Sequence, residues 1–541
     1  MSLRELAAVS GLFVVLTLFS TYPQVLYLDS AVGAHLDAPF SIWRLAWIAH
    51  QLTRSPVHLF DANIFYPERN TLAYSDALLL QGLVAAPFLW LGASPMAVHN
   101  VLVLLAFGTA GVGMYVLVRS ITKSRLGGIG AGMIFAFQQY RFAHYPQIEL
   151  LWTCFIPLAL WALHRTLATH RIRDALLVAI FVGLQAWSCL YYAVFLITAL
   201  AIISIAMVIG RREGLMRLAT PAVAAIVVGL LMTAPYALPY MRARQIVGAR
   251  TMPEIKQWSP PLQSYLGTMP TNWLYGRVTS GYGYLEGTLF PGVMPLALVA
   301  FAVLTRPRTR ELIAYAVLLV VSFDLSLGFN GWLYPSLYSV AWPYQSLRVP
   351  ARMFVIVSAS MAVLAGMAMA RLGTLLGRTR WTAAAVAAVA TVIFAETVTV
   401  PIPLQRIDFE RTQTDRFLAS QPRAAVFEWP VPRPDTLGIT QDPIYMLQST
   451  FHWQPLVNGY SGYHPQSYVE LLEHMRTFPS TDALRHLQQV GVRYVILHSA
   501  PSMDDYLAVQ NQLSSNPLVT FLRSDNLSTS EITLYEVARA E

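Results

Sequence analysis

Read for the spacing of apolar and polar positions, the first 400 residues of this 541-residue chain fall into apolar runs separated by polar links. Runs long enough to cross a bilayer, some of them short, lie near 8–28, 98–118, 126–140, 150–163, 174–188 and 190–210. More follow near 218–237, 288–305, 311–328, 351–371 and 381–400. They predict a mainly α, polytopic transmembrane helical bundle of about eleven spans. A further apolar stretch, 77–92, is short and interrupted by Pro87; it predicts a re-entrant or interfacial helix inside the first outer loop. From 401 the texture changes. Ala424–Val431 and Val492–His498 read as strands, and 466–478, 481–490 and 503–515 as helices. Segments 518–523 and 531–538 suit a closing pair of strands. The expectation is a transmembrane domain, 1–400, followed by a small extracytoplasmic α/β domain, 401–541.

The links alternate in kind. Short basic ones carry Arg119/Lys123/Arg125, Arg165/Arg171/Arg173, Arg211/Arg212/Arg217, Arg306/Arg308/Arg310 and Arg371/Arg378/Arg380. The others are longer, rich in Pro, Trp and Tyr, and carry acids. Basic links favour the cytoplasmic side, so an odd number of spans puts the N-terminus inside and residues 401–541 outside. Composition agrees: 55% of positions are apolar and 12% charged, against roughly 25% charged in an ordinary soluble protein. The net charge of +8 does not point to nucleic acid, because the arginines gather in short links and form no basic stripe. Cys154 and Cys189, at or near predicted spans, make neither a disulfide framework nor a zinc motif. No convincing small-residue cleavage site follows the first apolar run, which is expected to be a retained span. Abundant arginine with almost no lysine fits a GC-rich bacterial genome. The expected location is therefore the inner (plasma) membrane of a bacterium, as a multi-pass protein.

Outer loops 29–97 and 238–287 exceed what connectivity requires, and their aromatic content argues against disorder. The first holds Asp29 and then His35-Leu36-Asp37-Ala38-Pro39, leading into Phe40–Leu52, which patterns as an amphipathic helix lying on the membrane surface. Asp37 stands just ahead of that helix, a position that suits an N-cap as well as a catalytic acid. Arg348 and Arg352, four apart at the start of a span, predict one helical face at the outer boundary. There they can bracket a phosphate with forked donors or snorkel to headgroups. Arg141, His144, Gln147 and Glu149 sit between the third and fourth spans, where charge requires pairing or a wet cavity. An Arg141–Glu149 ion pair and contact with sugar or phosphate both remain open. His144 has no partner at helical spacing for a metal site. The second loop offers Trp258, Tyr265, Trp273, Tyr275, Tyr282, Tyr284 and Glu286: aromatic faces and a carboxylate for a sugar, or an ordinary interfacial belt. Asp324 and Glu396 read as boundary residues.

An acidic residue in the first outer loop followed by a surface helix resembles membrane glycosyltransferases of the GT-C fold. Asn63-Ile64-Phe65-Tyr66-Pro67, Arg141-Phe142-Ala143-His144, Leu347–Phe354 and Asn458-Gly459-Tyr460-Ser461-Gly462-Tyr463 are similar to phrases of a large bacterial branch of that family. The resemblance covers nearly the whole chain and is weakly specific for any substrate. It implies a polyprenyl-phosphate-linked sugar donor and a first-loop acid acting as base, which Asp37 matches best, with Asp29 the alternative. The chain shows no diacidic pair of the metal-using oligosaccharyltransferase kind, so no cofactor is expected and a divalent metal is not called for.

The chemistry also stands on physical grounds. Sugar transfer needs a base for the acceptor's proton, passes through an oxocarbenium-like state, and leaves charge on a phosphate that fixed cations stabilise. The expected function is inverting transfer of a sugar to an extracytoplasmic glycan, lipid or protein, with Arg348 and Arg352 at the phosphate. The rivals are a lipid-linked sugar flippase, disfavoured by the absence of internal repeats, and a cell-envelope scaffold whose outer domain binds polymer. The Gly- and Tyr-rich loop 458–463 suits either an acceptor glycan or a tight turn docked on the rest of the chain.

Overall fold

A computed structural model describes residues 1–209, 215–305, 308–377, 380–433, 440–499, 502–526 and 530–539; Arg211, Arg212, Arg306 and Arg378 of the basic links lie outside these. The protein is mainly helical. Helices α1 (Leu3–Ser20), α2 (Asp37–Arg54), α3 (Leu79–Trp90), α4 (Pro95–Thr122) and α5 (Arg125–Ala136) come first. Then follow α6 (Phe155–Thr169), α7 (Ile172–Ser188), α8 (Leu190–Val208) and α9 (Leu215–Val247). Helices α10 (Val293–Leu304), α11 (Arg310–Ser326), α12 (Phe354–Leu375) and α13 (Arg380–Thr397) complete the apolar part. Among the described residues six helical stretches are long and apolar enough to cross a membrane: Leu3–Ser20, Pro95–Thr122, Ile148–Thr169, Leu190–Val208, Met216–Val247 and Pro350–Leu375. The count is below the hydropathy expectation because several helices are short. Helices α5 and α10 have 12 residues each, a rise of about 18 Å against a hydrocarbon core of about 30 Å.

The chain forms two compact units. One comprises 1–33, 100–236 and 249–404; the other comprises 34–99, 237–248 and 405–541. Residues 34–99, most of the long segment after α1, therefore fold with the tail. In the helical unit α12 is the central element, buried without interruption from Phe354 to Gly366 and packed on α5, α10 and α11. Glycine lets α5 and α12 approach: a Cβ added at Gly127 would lie 2.5 Å from the Gly366 carbonyl oxygen, a close backbone crossing of the kind small residues permit between membrane helices.

In the other unit, α2 is not the surface helix its amphipathic pattern predicts. Every residue from Ala38 to Ala49 is buried. One side is covered by α3, where Gly82 leaves room for Ile48 (an added Cβ would meet that side chain 2.8 Å or closer). Another is covered by the helix Asp442–Gln448. Several polar groups of α2 find partners inside the unit. The Arg44 guanidinium donates to Ser41 Oγ at 2.9 Å and to the Asp76 carbonyl, and it stacks on Phe40. Trp43 and Trp47 donate their indole N–H groups to Asn63 Oδ1 and the Leu59 carbonyl.

The tail contributes a four-stranded sheet of β1 (Ala425–Trp429), β2 (Val492–His498), β3 (Val519–Asn526) and β4 (Glu531–Val537), in the order β1-β2-β4-β3. Strand β1 runs parallel to β2, with Phe427 opposite Val495. Strand β4 is antiparallel to both neighbours, with Leu534 opposite Ile496. The near-continuous apolar run of β2 fits burial on both faces. Helices Gln466–His474, Thr481–Val490 and Met503–Ser514 flank it; the second starts on a Ser480 cap and stops at Gly491, whose φ of 91° favours glycine.

Candidate active site

Asp37 is the first residue of α2, and the N-cap position belongs to Leu36, which makes no side-chain cap. The expected capping role is thereby corrected. Pro39, accommodated in the first turn, lets the helix begin two residues earlier than a Pro at N1 would. The Asp37 carboxylate is turned elsewhere. Its Oδ1 accepts a hydrogen bond from the Tyr460 hydroxyl at 2.9 Å, and Oδ2 lies 3.2 Å from His35 Nδ1, with 14% of the side chain still exposed. Tyr460 also presents its ring edge to Phe40, one helical turn along.

What holds Tyr460 there is the meeting of two sequence motifs. The Leu456 amide donates to the Asn63 carbonyl at 2.9 Å, and the Phe65 and Tyr66 amides donate to the carbonyls of Asn458 and Leu456 at 3.0 and 2.9 Å. Asn63 donates onward from Nδ2 to Ser449 Oγ and the Gln454 carbonyl. Asn458 is fully buried and bridges β1 to the loop, accepting from the Glu428 amide and donating to the Glu428 carbonyl and to Asp442 Oδ1. Gly459 lies against the Phe65 ring, where a Cβ would come within 2.6 Å of it. The loop is thus a docking turn on the first-loop motif, and it delivers one tyrosine to Asp37. Behind it, Asp442 also accepts from the Tyr468 hydroxyl; burial nevertheless pushes its carboxyl up to about 6.

The helical unit holds a second polar cluster. Arg352 donates to both oxygens of Glu286, Nε to Oε2 at 2.7 Å and Nη2 to Oε1 at 2.6 Å. His144 Nε2 lies 3.1 Å from the same Oε2, and its Nδ1 lies 2.8 Å from the Tyr140 carbonyl. Both ring nitrogens thus lie within hydrogen-bond reach of an oxygen. All three side chains are 14% exposed or less. Burial alone would raise the Glu286 carboxyl, but Arg352 and His144 outweigh it and hold the group well below the usual carboxylate range.

Arg348 and Arg352 do not share a helical face. Pro350 keeps Val349 extended, at φ −118° and ψ 92°, so the helical turn begins only at Pro350 and Arg348 lies before it. The Arg348 guanidinium stacks on Trp258 at 4.8 Å, and its amide donates to the Tyr191 hydroxyl. Arg352 stacks on the ring of that same Tyr191. Among the described residues, the Arg348 side chain has no ion-pair partner. Arg141 is buried and donates to Thr153 Oγ1 at 2.6 Å and to the carbonyls of Leu151 and Ala106, so both of its Nη groups are engaged within the helical unit. Glu149 is buried in the short helix Ile148–Leu151, whereas Tyr282 and Asp29 are exposed. Glu396, read from sequence as a boundary residue, is buried; it accepts from the Val293 and Met294 amides at the start of α10 and from the Tyr275 hydroxyl. Among the described residues no three His, Cys, Asp or Glu side chains are placed to hold a metal ion.

Neither a protein-family model nor a curated protein sequence matches the chain. Solved structures do. All of the chain superposes on 40% of the arabinofuranosyltransferase AftD from Mycobacteria, with a TM-score of 0.67 and 14% identity. The chain thus spans about two fifths of that protein's length. Of the chain, 91% superposes on 68% of an oligosaccharyltransferase from Archaeoglobus fulgidus tethered to an acceptor peptide with the NVT sequon, at a TM-score of 0.55 and 12% identity. At such identities the likeness is one of fold: this chain has the GT-C fold of those membrane proteins.

Proposed function

We propose that the protein is an inverting glycosyltransferase that moves a sugar from a polyprenyl-phosphate donor to an extracytoplasmic acceptor. The observation that carries the reading is Asp37, relieved of capping and left partly accessible at the head of a buried helix. The Tyr460 hydroxyl holds Oδ1 and His35 stands beside Oδ2, and the exposed part of the carboxylate is where an acceptor hydroxyl would approach. In this reading Asp37 takes the acceptor's proton as the new glycosidic bond forms. The bond to the phosphate oxygen breaks with the electron pair leaving on phosphate, and the anomeric carbon passes through an oxocarbenium-like state with inversion.

Of the two arginines, Arg348 is the one assigned to the departing phosphate, since its charge answers no carboxylate among the described residues. Arg352 acts at one remove, through the Glu286–His144 cluster. Trp258 then serves as the platform that fixes Arg348, and Tyr282 remains available to a substrate from an exposed position. The orientation suggested by the basic links, with about eleven spans and the tail outside a bacterial inner membrane, suits a donor and acceptor that meet at the outer surface.

The test is sugar transfer by the purified chain in detergent with a panel of polyprenyl-phosphate sugars. Wild type is compared with Asp37→Asn and Asp29→Asn. The expected result is a loss of about 10²- to 10⁴-fold for Asp37→Asn alone. Equal transfer by wild type and Asp37→Asn would remove Asp37 as the base.

A further inference from the structure

The unit built from the first loop and the tail contains a cleft of about 600 Å³, within the usual range for small-molecule sites. It is lined by Trp47, His50 and Gln51 of the second half of α2 and by Gln421 and Trp453 of the tail. His50 lies ten residues or more past the start of α2, about 20 Å from Asp37 along the helix. The cleft is therefore separate from the candidate base. Its floor is aromatic: Trp453 stacks on His50 with ring centres 4.2 Å apart and leans on Trp47 at 5.8 Å. Flat apolar faces ringed by amides suit the alternating C–H and O–H groups of a sugar ring.

The charges around the cleft are not balanced in use. Of its two carboxylates, Asp61 is taken by His58 and the Asn70 amide, and Glu68 accepts from Ser467 Oγ at 2.7 Å. Its two arginines, Arg69 and Arg423, are exposed. Neither guanidinium has a hydrogen-bond or ion-pair partner among the described residues. The acids are thus engaged within the protein, while both forked cations are exposed in the cleft's lining, where they can meet a carboxylate or phosphate on a ligand.

We propose that this cleft binds an anionic saccharide, with the ring on Trp453 and the acidic substituent at Arg69 and Arg423. The cleft and the candidate base share one rigid helix, so the ligand's natural role is that of an extended acceptor glycan. That role rests on the proposed transferase reading; the binding does not.

The experiment is calorimetric titration of the full chain in detergent with oligogalacturonate and with a maltooligosaccharide of equal length, no donor present. Oligogalacturonate should bind with an affinity that falls as salt rises. Trp453→Ala should weaken it about tenfold. The exposed double change Arg69→Gln/Arg423→Gln, which leaves the stack untouched, should weaken it comparably and flatten the salt dependence. No binding of either saccharide, or binding indifferent to both variants, would overturn the proposal. Equal affinity for the neutral chain would overturn its anionic character. Because no donor is present, a protein that binds but never transfers refutes only the catalytic reading, and one that transfers without binding here refutes only the cleft.

Discussion

Removing the charge of Glu286 offers a sharp test of what the buried cluster is for. Glu286→Gln keeps the shape of the side chain but leaves the Arg352 guanidinium, only 10% exposed, without its counter-charge. Breaking a buried pair from one side costs about 3–5 kcal/mol, because the remaining charge stays desolvated. Glutamine still offers one oxygen to Arg352, and the cluster is not fully sealed, so the lower end, about 3 kcal/mol, is expected. Replacing both partners with neutral groups, Glu286→Gln with Arg352→Met, removes the stranded charge and should recover most of that loss. The assay is reversible unfolding of the full chain in mixed detergent micelles, run as a double-mutant cycle with a coupling energy above about 2 kcal/mol expected. Unaltered stability in Glu286→Gln, together with abolished sugar transfer, would refute the reasoning and make Glu286 a substrate ligand.

Two further outcomes follow from the other unit. Gly459→Ala should destabilise the docking turn by about 1–3 kcal/mol, because the new methyl enters the Phe65 ring; limited proteolysis within 458–463 should accelerate, and a compensating Phe65→Leu should slow it again. Asp442 carries a carboxyl raised by burial from 3.8 to about 6, so its share of stability is full below about pH 4 and is lost as pH rises through 6. Asp442→Asn, which cannot titrate, should therefore gain on wild type by about 3 kcal/mol between pH 4 and pH 7; a constant difference in unfolding free energy across that range would contradict the assignment.

Much of the helical architecture was legible because burial in lipid or in a helical bundle writes itself as local apolar runs. The strands and helices of the tail were legible for the same reason, since each has its own short period. The burial of α2 was not. Its pattern of Trp, Ile and Leu with Arg44 and His50 is what a surface helix shows, and only the internal bonds of Arg44 reveal that its polar face is also covered. The site was less visible still. Asp37 and Tyr460 are 423 positions apart, and Asn63 and Ser449 are 386 apart. No local period encodes such a pairing, although 63–67 and 458–463 both read as phrases similar to those of one family, and 458–463 also stands out for its Gly and Tyr content. Arg348 and Arg352 looked like a helical pair because spacing was counted through Pro350, whose steric demand on Val349 sets them in different backbone states. Glu396 reads from sequence only as a boundary residue, because a cap supplied from another helix leaves no mark at the helix it serves.

The pairing of Asn63 with Gln454, 391 residues downstream, also sets an order on biosynthesis. At a ribosomal rate of about 5–20 residues per second, the first loop waits about 20–80 s for the strand and turn that complete it. During that interval Trp43, Trp47 and the unpaired edge of 63–66 have no native partner from the tail. A chaperone or the translocation machinery has that window in which to hold the loop, and a chain truncated before 458 would leave it unfinished for good.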